Sequence, residues 1–228
     1  MDYMDMYLLH SPGTKGPEAR IKAWRDLEAA VDSGKVKNIG VSNFDVEDLD
    51  HLLEHCRIKP TVNQIESHPF FAHEDLREDT IARGIHIQAY SPMAQGAALN
   101  KTEIKAIAKK HGKTPAQVLL RWGIQIGNVI LPKSLTKHRI EANGDLFDFE
   151  LDGEDMDLLN HLDEGMKMGK LGPAGTSQPA SPAGSRSNSR SSSRSNSRSN
   201  SFVGLSGLGK MTASTPMQLD NVSEGKAT

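Results

Sequence analysis

The chain has 228 residues with 27 basic and 29 acidic side chains, a formal net charge of −2, and 36% hydrophobic residues. That apolar share is below the ~45–50% of a globular domain, and the charge balance excludes a basic nucleic-acid-binding body. One cysteine, Cys56, excludes an intrachain disulfide and points to a reducing compartment, and no stretch approaches the ~20 apolar residues of a membrane span.

In chain order, "DMYLLH" (5–10) reads as a strand, followed by a helical pattern over 17–34 with Ile21, Trp24, Leu27 and Val31 on one face. Pro17 suits its first turn and Gly34 its stop. "KVKNIGVSN" (35–43) is a second strand. Residues 45–57 form a helix with Asp45 as N-cap and Val46, Leu49, Leu52 and Leu53 on one face. "TVNQIE" (61–66) is a third strand, 73–84 a helix closed by Gly84, and "IHIQAYSP" (85–92) a fourth strand stopped by Pro92. Residues 100–127 divide into two helices, the second begun by Pro115. "NVILPKS" (128–134) is a fifth strand, and 136–165 is mostly helical.

Strands alternating with helices imply right-handed βαβ units and a parallel sheet, hence an α/β fold. Both an open doubly wound sheet and a closed barrel fit that alternation. No GxGxxG turn follows the first strand, which weakens the dinucleotide-fold version. Polar groups recur at the carboxyl end of every strand: His10; Ser42 and Asn43; Gln64 and Glu66; Tyr90 and Ser91; Lys133 and Ser134. A βα barrel gathers its functional groups on that one face, so the barrel is favoured.

The organisation expected is a domain over 1–170 and a tail over 171–228. The tail holds Arg186, Arg190, Arg194, Arg198, Lys210 and Lys226 against Asp220 and Glu224, which leaves the body with a surplus of six acidic groups. Eleven serines between 181 and 201, with arginine at every fourth position from 186 to 198, cannot bury enough apolar surface to order the segment. The tail is therefore expected to be disordered. Its serines offer phosphorylation sites, and hence a kinase or phospho-binding partner for 181–201.

The stretches "DYMDMYLLHSP", "GKVKNIGVSNF", "VNQIESHPF", "IQAYSPM" and "ILPKSLTKHRIEAN" resemble the aldo-keto reductases, in order and in register over roughly residues 1–165. The resemblance implies a (β/α)8 TIM barrel, here as strands 4–8 and their helices. It also implies an NADP(H)-dependent oxidoreductase that interconverts small carbonyl compounds and alcohols, with neither membrane nor nucleic acid as partner and a cytoplasmic setting.

Site residues follow by the same resemblance. His10 is similar to the histidine that hydrogen-bonds the substrate carbonyl; from the residues alone a histidine at a strand end is more often a surface or satisfied core residue. Ser42, Asn43 and Gln64 match groups that hold the nicotinamide carboxamide, although a serine or asparagine before Asp45 also suits helix capping. Tyr90 matches a tyrosine that stacks on the nicotinamide. Ser91 and Met93, within 91–95, resemble the loop that crosses the pyrophosphate. Lys133, Ser134, Thr136 and Arg139 bring cations and hydroxyls to a helix start, as an anion site or as an ordinary basic helix start. The resemblance implies a 2′-phosphate site there, with Asn143 on the adenine. No metal site is expected: His51, His55 and Cys56 read as one helix face without a third ligand.

The family's proton-donating tyrosine, with its lysine and aspartate, lies upstream of the histidine strand, where this sequence has only residues 1–4. Two expectations result. The chain is a truncated form of an aldo-keto reductase, or it is a catalytically inactive interaction protein of that fold, regulated by tail phosphorylation.

Overall fold

A computed structural model describes residues 2–13 and 15–168. The division at residue 170 and the Ser/Arg tail lie outside the described residues.

Five strands form one parallel sheet: β1 (Met4–Leu9), β2 (Val36–Ser42), β3 (Val62–Glu66), β4 (His86–Tyr90) and β5 (Val129–Leu131). Their spatial order is β1-β2-β3-β4-β5, the order in sequence. A doubly wound sheet must reverse direction at a switch point. This one never does, so it curls as the wall of a (β/α)8 barrel, with β1 and β5 as its edges.

Among the described residues seven α-helices connect and cover the strands. α1 (Pro17–Asp32) begins on a proline whose missing N–H has no partner to lose there, and buries Ile21, Trp24 and Glu28. α2 (Val46–His55) is capped by Asp45, whose carboxylate accepts from Asp48 N at 2.8 Å. α3 (Glu74–Ala82) leads into β4. After β4 a 3-10 segment (Ala94–Asn100) precedes α4 (Thr102–His111) and α5 (Pro115–Gln125). α5 starts in a reciprocal capping box between Thr114 and Gln117. α6 (Lys137–Gly144) and α7 (Gly153–Asn160) follow β5.

The expected helix over 136–165 is thus two helices joined by a non-helical link. α5 supplies the reason. Gln125 Nε2 donates to Leu151 O at 2.9 Å while its Oε1 accepts from Leu151 N at 2.8 Å. Gln117 Nε2 donates to Asp145 O at 2.9 Å, and Arg121 Nη1 donates to Leu146 O at 3.1 Å. Side chains of a neighbouring helix here satisfy backbone groups that a continuous helix would have satisfied itself.

Two apolar clusters hold the layers together. One packs Trp24, Phe44, Leu49 and Leu52 from the helix side against Val36, Ile39 and Val41 of β2. The other packs Ile104, Leu119, Trp122 and Leu159 of α4, α5 and α7 around Phe70 and Ala94. Between strands the approach is close at Gly40, where a Cβ would stand 2.7 Å from Leu8 Cδ2 and 2.8 Å from the Val62 carbonyl oxygen. The carbonyl cannot swing aside without breaking the ladder. Gly40→Ala is expected to lower stability by about 1–3 kcal/mol, as overpacking does, read as a fall in urea midpoint at unchanged m-value.

Candidate active site and cofactor groove

The carboxyl ends of β2, β3 and β4 meet in a continuous hydrogen-bonded patch. Ser42 Oγ donates to Gln64 O at 2.7 Å, tying β2 to β3. Asn43 follows with φ 59°, a left-handed conformation that asparagine tolerates and most residues resist. That turn aims its amide back across the strand ends. Nδ2 donates to His10 O and to Ser42 Oγ, both at 3.1 Å, and Oδ1 accepts from Tyr90 Oη at 3.0 Å. Gln64 Nε2 donates to Gln88 Oε1 at 3.0 Å. Four expected site residues, Ser42, Asn43, Gln64 and Tyr90, are therefore brought together here.

His10 joins this patch through its backbone carbonyl. It lies one residue beyond β1, which ends at Leu9, and its side chain is exposed. The Tyr90 phenol is pushed up to about 12, first by burial and then by the charge of Glu66, its register partner on β3. It stays protonated at every physiological pH and keeps its bond to Asn43. The capping role open to Ser42 and Asn43 belongs to neither; Asp45 is the cap.

Directly after Tyr90 the chain turns into a groove of about 750 Å³. Ser91, Met93, Lys133, Ser134, Arg139 and Asn143 all line it. Thr136 does not; it stands at the N-terminus of α6, where its N–H donates to Ser134 Oγ at 3.2 Å. Apolar surface comes from Pro92, Leu99, Pro115 and Leu131, and the polar wall from the β5–α6 turn. The loop over the groove is unusual in its backbone: Ser91, Ala94 and Gln95 have φ of 51°, 47° and 52°, and Gly96 has φ 90°. Three non-glycine residues held in a sparsely populated region within five positions mark a shape fixed by its surroundings. Within it Ala94 N–H donates to Ser91 O and Gly96 N–H donates to Met93 O, both at 2.8 Å, so these turns close on the loop itself.

Several residues at this end were not expected. Leu99 and Pro115 line the groove, as does Gln95, which falls within the expected 91–95 loop. Asn63 holds the β2–α2 turn, its Nδ2 donating to Phe44 O at 2.9 Å and its Oδ1 accepting from Phe44 N at 3.4 Å. His68 is fully buried beside Glu66.

A parallel barrel wall with polar groups and a groove at its carboxyl end defines a class, the βα barrels whose sites lie on that face. The family model of the aldo/keto reductase family matches residues 1–164. Over 169 residues the chain is 45% identical to a glyoxal reductase of Bacillus subtilis, covering 74% of this chain and 60% of that protein. It is 43% identical over 165 residues to an uncharacterized oxidoreductase of Schizosaccharomyces pombe, covering 72% and 58%. Among solved structures it matches an aldo/keto reductase from Brucella melitensis with a TM-score of 0.68 at 42% identity, covering 71% and 61% of the two chains. A Bombyx mori aldo-keto reductase in complex with NADP matches with a TM-score of 0.69 at 32% identity, covering 75% and 61%. The chain belongs to the aldo-keto reductase family, and it spans about three fifths of the length of these relatives.

Proposed function

We propose that the protein is an NADP(H)-dependent oxidoreductase interconverting small aldehydes or ketones and alcohols, and that the described residues supply its cofactor groove and the carbonyl-orienting side of its site. The observation that carries this reading is the groove itself. Lys133 and Arg139 line it together with Ser134, beside the left-handed 91–96 loop and an apolar floor. Cations with a hydroxyl suit a phosphate, and Leu99, Pro115 and Leu131 suit the flat face of a base. A phosphate joined to a flat base is a nucleotide, and NADP, bound in the Bombyx mori relative, has both parts.

Within this reading Lys133, Ser134 and Arg139 hold the 2′-phosphate, Asn143 meets the adenine, and Ser91 and Met93 cover the diphosphate. Tyr90 follows the loop inward and presents a ring held by Asn43, on which a nicotinamide stacks. Ser42, Asn43 and Gln64 offer the polar edge for its carboxamide. The bound cofactor supplies hydride. His10, exposed at the end of β1, reaches toward the carbonyl oxygen and stabilises the charge that develops there. We assign the proton-donating role to none of the chain's three tyrosines. Tyr90 is pinned with its phenol pushed up, and Tyr3 lies under Lys37 Nζ at 3.6 Å.

Titration of the purified chain with NADPH and, separately, NADH tests the reading by cofactor fluorescence. Saturable NADPH binding at least tenfold tighter than NADH binding is expected. Absence of saturable NADPH binding overturns it.

A further inference from the structure

The carboxyl end of β3 carries a buried charge that the groove residues do not use. Glu66 is 2% exposed and His68 is fully buried. His68 Nε2 lies 3.2 Å from Glu66 Oε1, and His68 Nδ1 has no hydrogen-bond partner among the described residues. The neutral tautomer protonated on Nε2 satisfies both observations, since it donates to Glu66 and leaves only an acceptor unpaired. The same carboxylate oxygen accepts from Met168 N at 2.6 Å, a contact across 102 positions of sequence. A charge-assisted bond from a backbone N–H to a buried carboxylate is among the stronger hydrogen bonds available to a protein.

Met168 lies in a strap, described over residues 163–168, that follows α7 and runs back over the sheet's carboxyl end. Asp163, Glu164, Met166 and Met168 each bond outside the segment. Asp163 Oδ2 accepts from Ala72 N at 3.0 Å. Phe70 O accepts from Glu164 N at 3.3 Å and from Met166 N at 2.9 Å. Lys101 Nζ stands 3.6 Å from Glu164 Oε1. On its far side the strap reaches the groove loop, because Met168 O accepts from Gln95 Nε2 at 3.3 Å. Met168 is thus held from two directions: its N–H by Glu66 under the Tyr90 strand end, and its carbonyl by Gln95 on the wall of the groove.

We propose that Glu66 is a positioning residue for the groove: its carboxylate tethers the 163–168 strap, and the strap, through Gln95, holds the 91–96 loop in the shape that retains a dinucleotide. This rests on the cofactor reading above. A carboxylate so buried is tolerated only with its full set of donors, so the strap and the charge stabilise one another. The loop's left-handed backbone persists only while its surroundings determine it, and the strap is part of those surroundings. His68 shares Oε1 of that carboxylate with the strap's Met168 N–H.

Amide hydrogen exchange and NADPH titration of the full chain test the proposal with three variants. Glu66→Gln keeps size and polarity but removes the charge. Met168→Pro removes the N–H from the strap side while leaving Glu66 intact. Met168→Ala trims the side chain and keeps the N–H. Expected is an exchange rate at 163–167 raised at least tenfold in Glu66→Gln and in Met168→Pro but not in Met168→Ala, with the NADPH dissociation constant raised three- to tenfold in the same two. Should Glu66→Gln fail to fold, Met168→Pro against Met168→Ala decides the same question. Unchanged exchange in Met168→Pro overturns the tether, whether or not cofactor binds. Faster exchange with unchanged NADPH affinity overturns the positioning role. Absence of NADPH binding by the parent chain overturns the cofactor reading instead, and the exchange result still decides the tether.

Discussion

Replacing Lys133 or Arg139 by alanine is expected to weaken NADPH binding about 10- to 100-fold while moving NADH affinity less than threefold. The magnitude follows from the bond type. A hydrogen bond to a charged group contributes about 1.5–3 kcal/mol, and each 1.4 kcal/mol is tenfold in affinity. The selectivity follows from place: both side chains line the groove wall formed by the β5–α6 turn, away from the Tyr90 patch where a nicotinamide would lie. Because both cations are exposed, added salt should narrow the difference between the two cofactors, since mobile ions screen exposed charge over about 10 Å at 0.1 M. Titrations at low and high ionic strength measure this. An equal loss for NADPH and NADH would place these cations on a shared part of the cofactor and refute the 2′-phosphate assignment.

Trp24→Ala should be the most damaging single truncation on the β2 side, costing about 3–5 kcal/mol. The ring is completely buried among Ile21, Ile39, Leu49 and Leu52, and its Nε1 donates to Ile58 O at 3.0 Å. Truncation leaves a cavity and also an unpaired carbonyl. A typical domain has only about 5–15 kcal/mol in hand, so this one change removes a large part of it. Trp24→Phe separates the two effects by refilling most of the volume without the N–H. Urea unfolding followed by far-UV circular dichroism gives both numbers, and a loss under 1 kcal/mol for the alanine variant would contradict the packing described.

How much of this was readable in the residues differs from element to element. α2 was nearly complete in the sequence, because its N-cap, apolar stripe and end are all local signals; observed bounds differ from expectation by one or two residues. The five strands were readable for the same reason, but their ends were not. His10 looks like the last residue of a strand by alternation, yet β1 stops at Leu9, because pairing with β2 runs only from Met4 to Leu9. The 136–165 stretch looked helical throughout, since nothing in it announces that Gln117, Arg121 and Gln125 of another helix will claim its backbone.

The site divides along the same line. Which residue types stand at the strand ends is written in the local sequence, and so is membership of the family. Ser42, Asn43, Gln64 and Tyr90 form one patch and Ser91, Met93, Lys133, Ser134, Arg139 and Asn143 another, while Thr136 stands outside both; only strand register and the path of the 91–96 loop decide that partition. Glu66 is the clearest case. Its burial, its pairing with His68 and its hold on Met168 depend on contacts between segments up to 102 positions apart. Local pattern is set by interactions within a few residues, and chemistry at a carboxyl-end site is set by which distant side chains the sheet brings within 3 Å of one another.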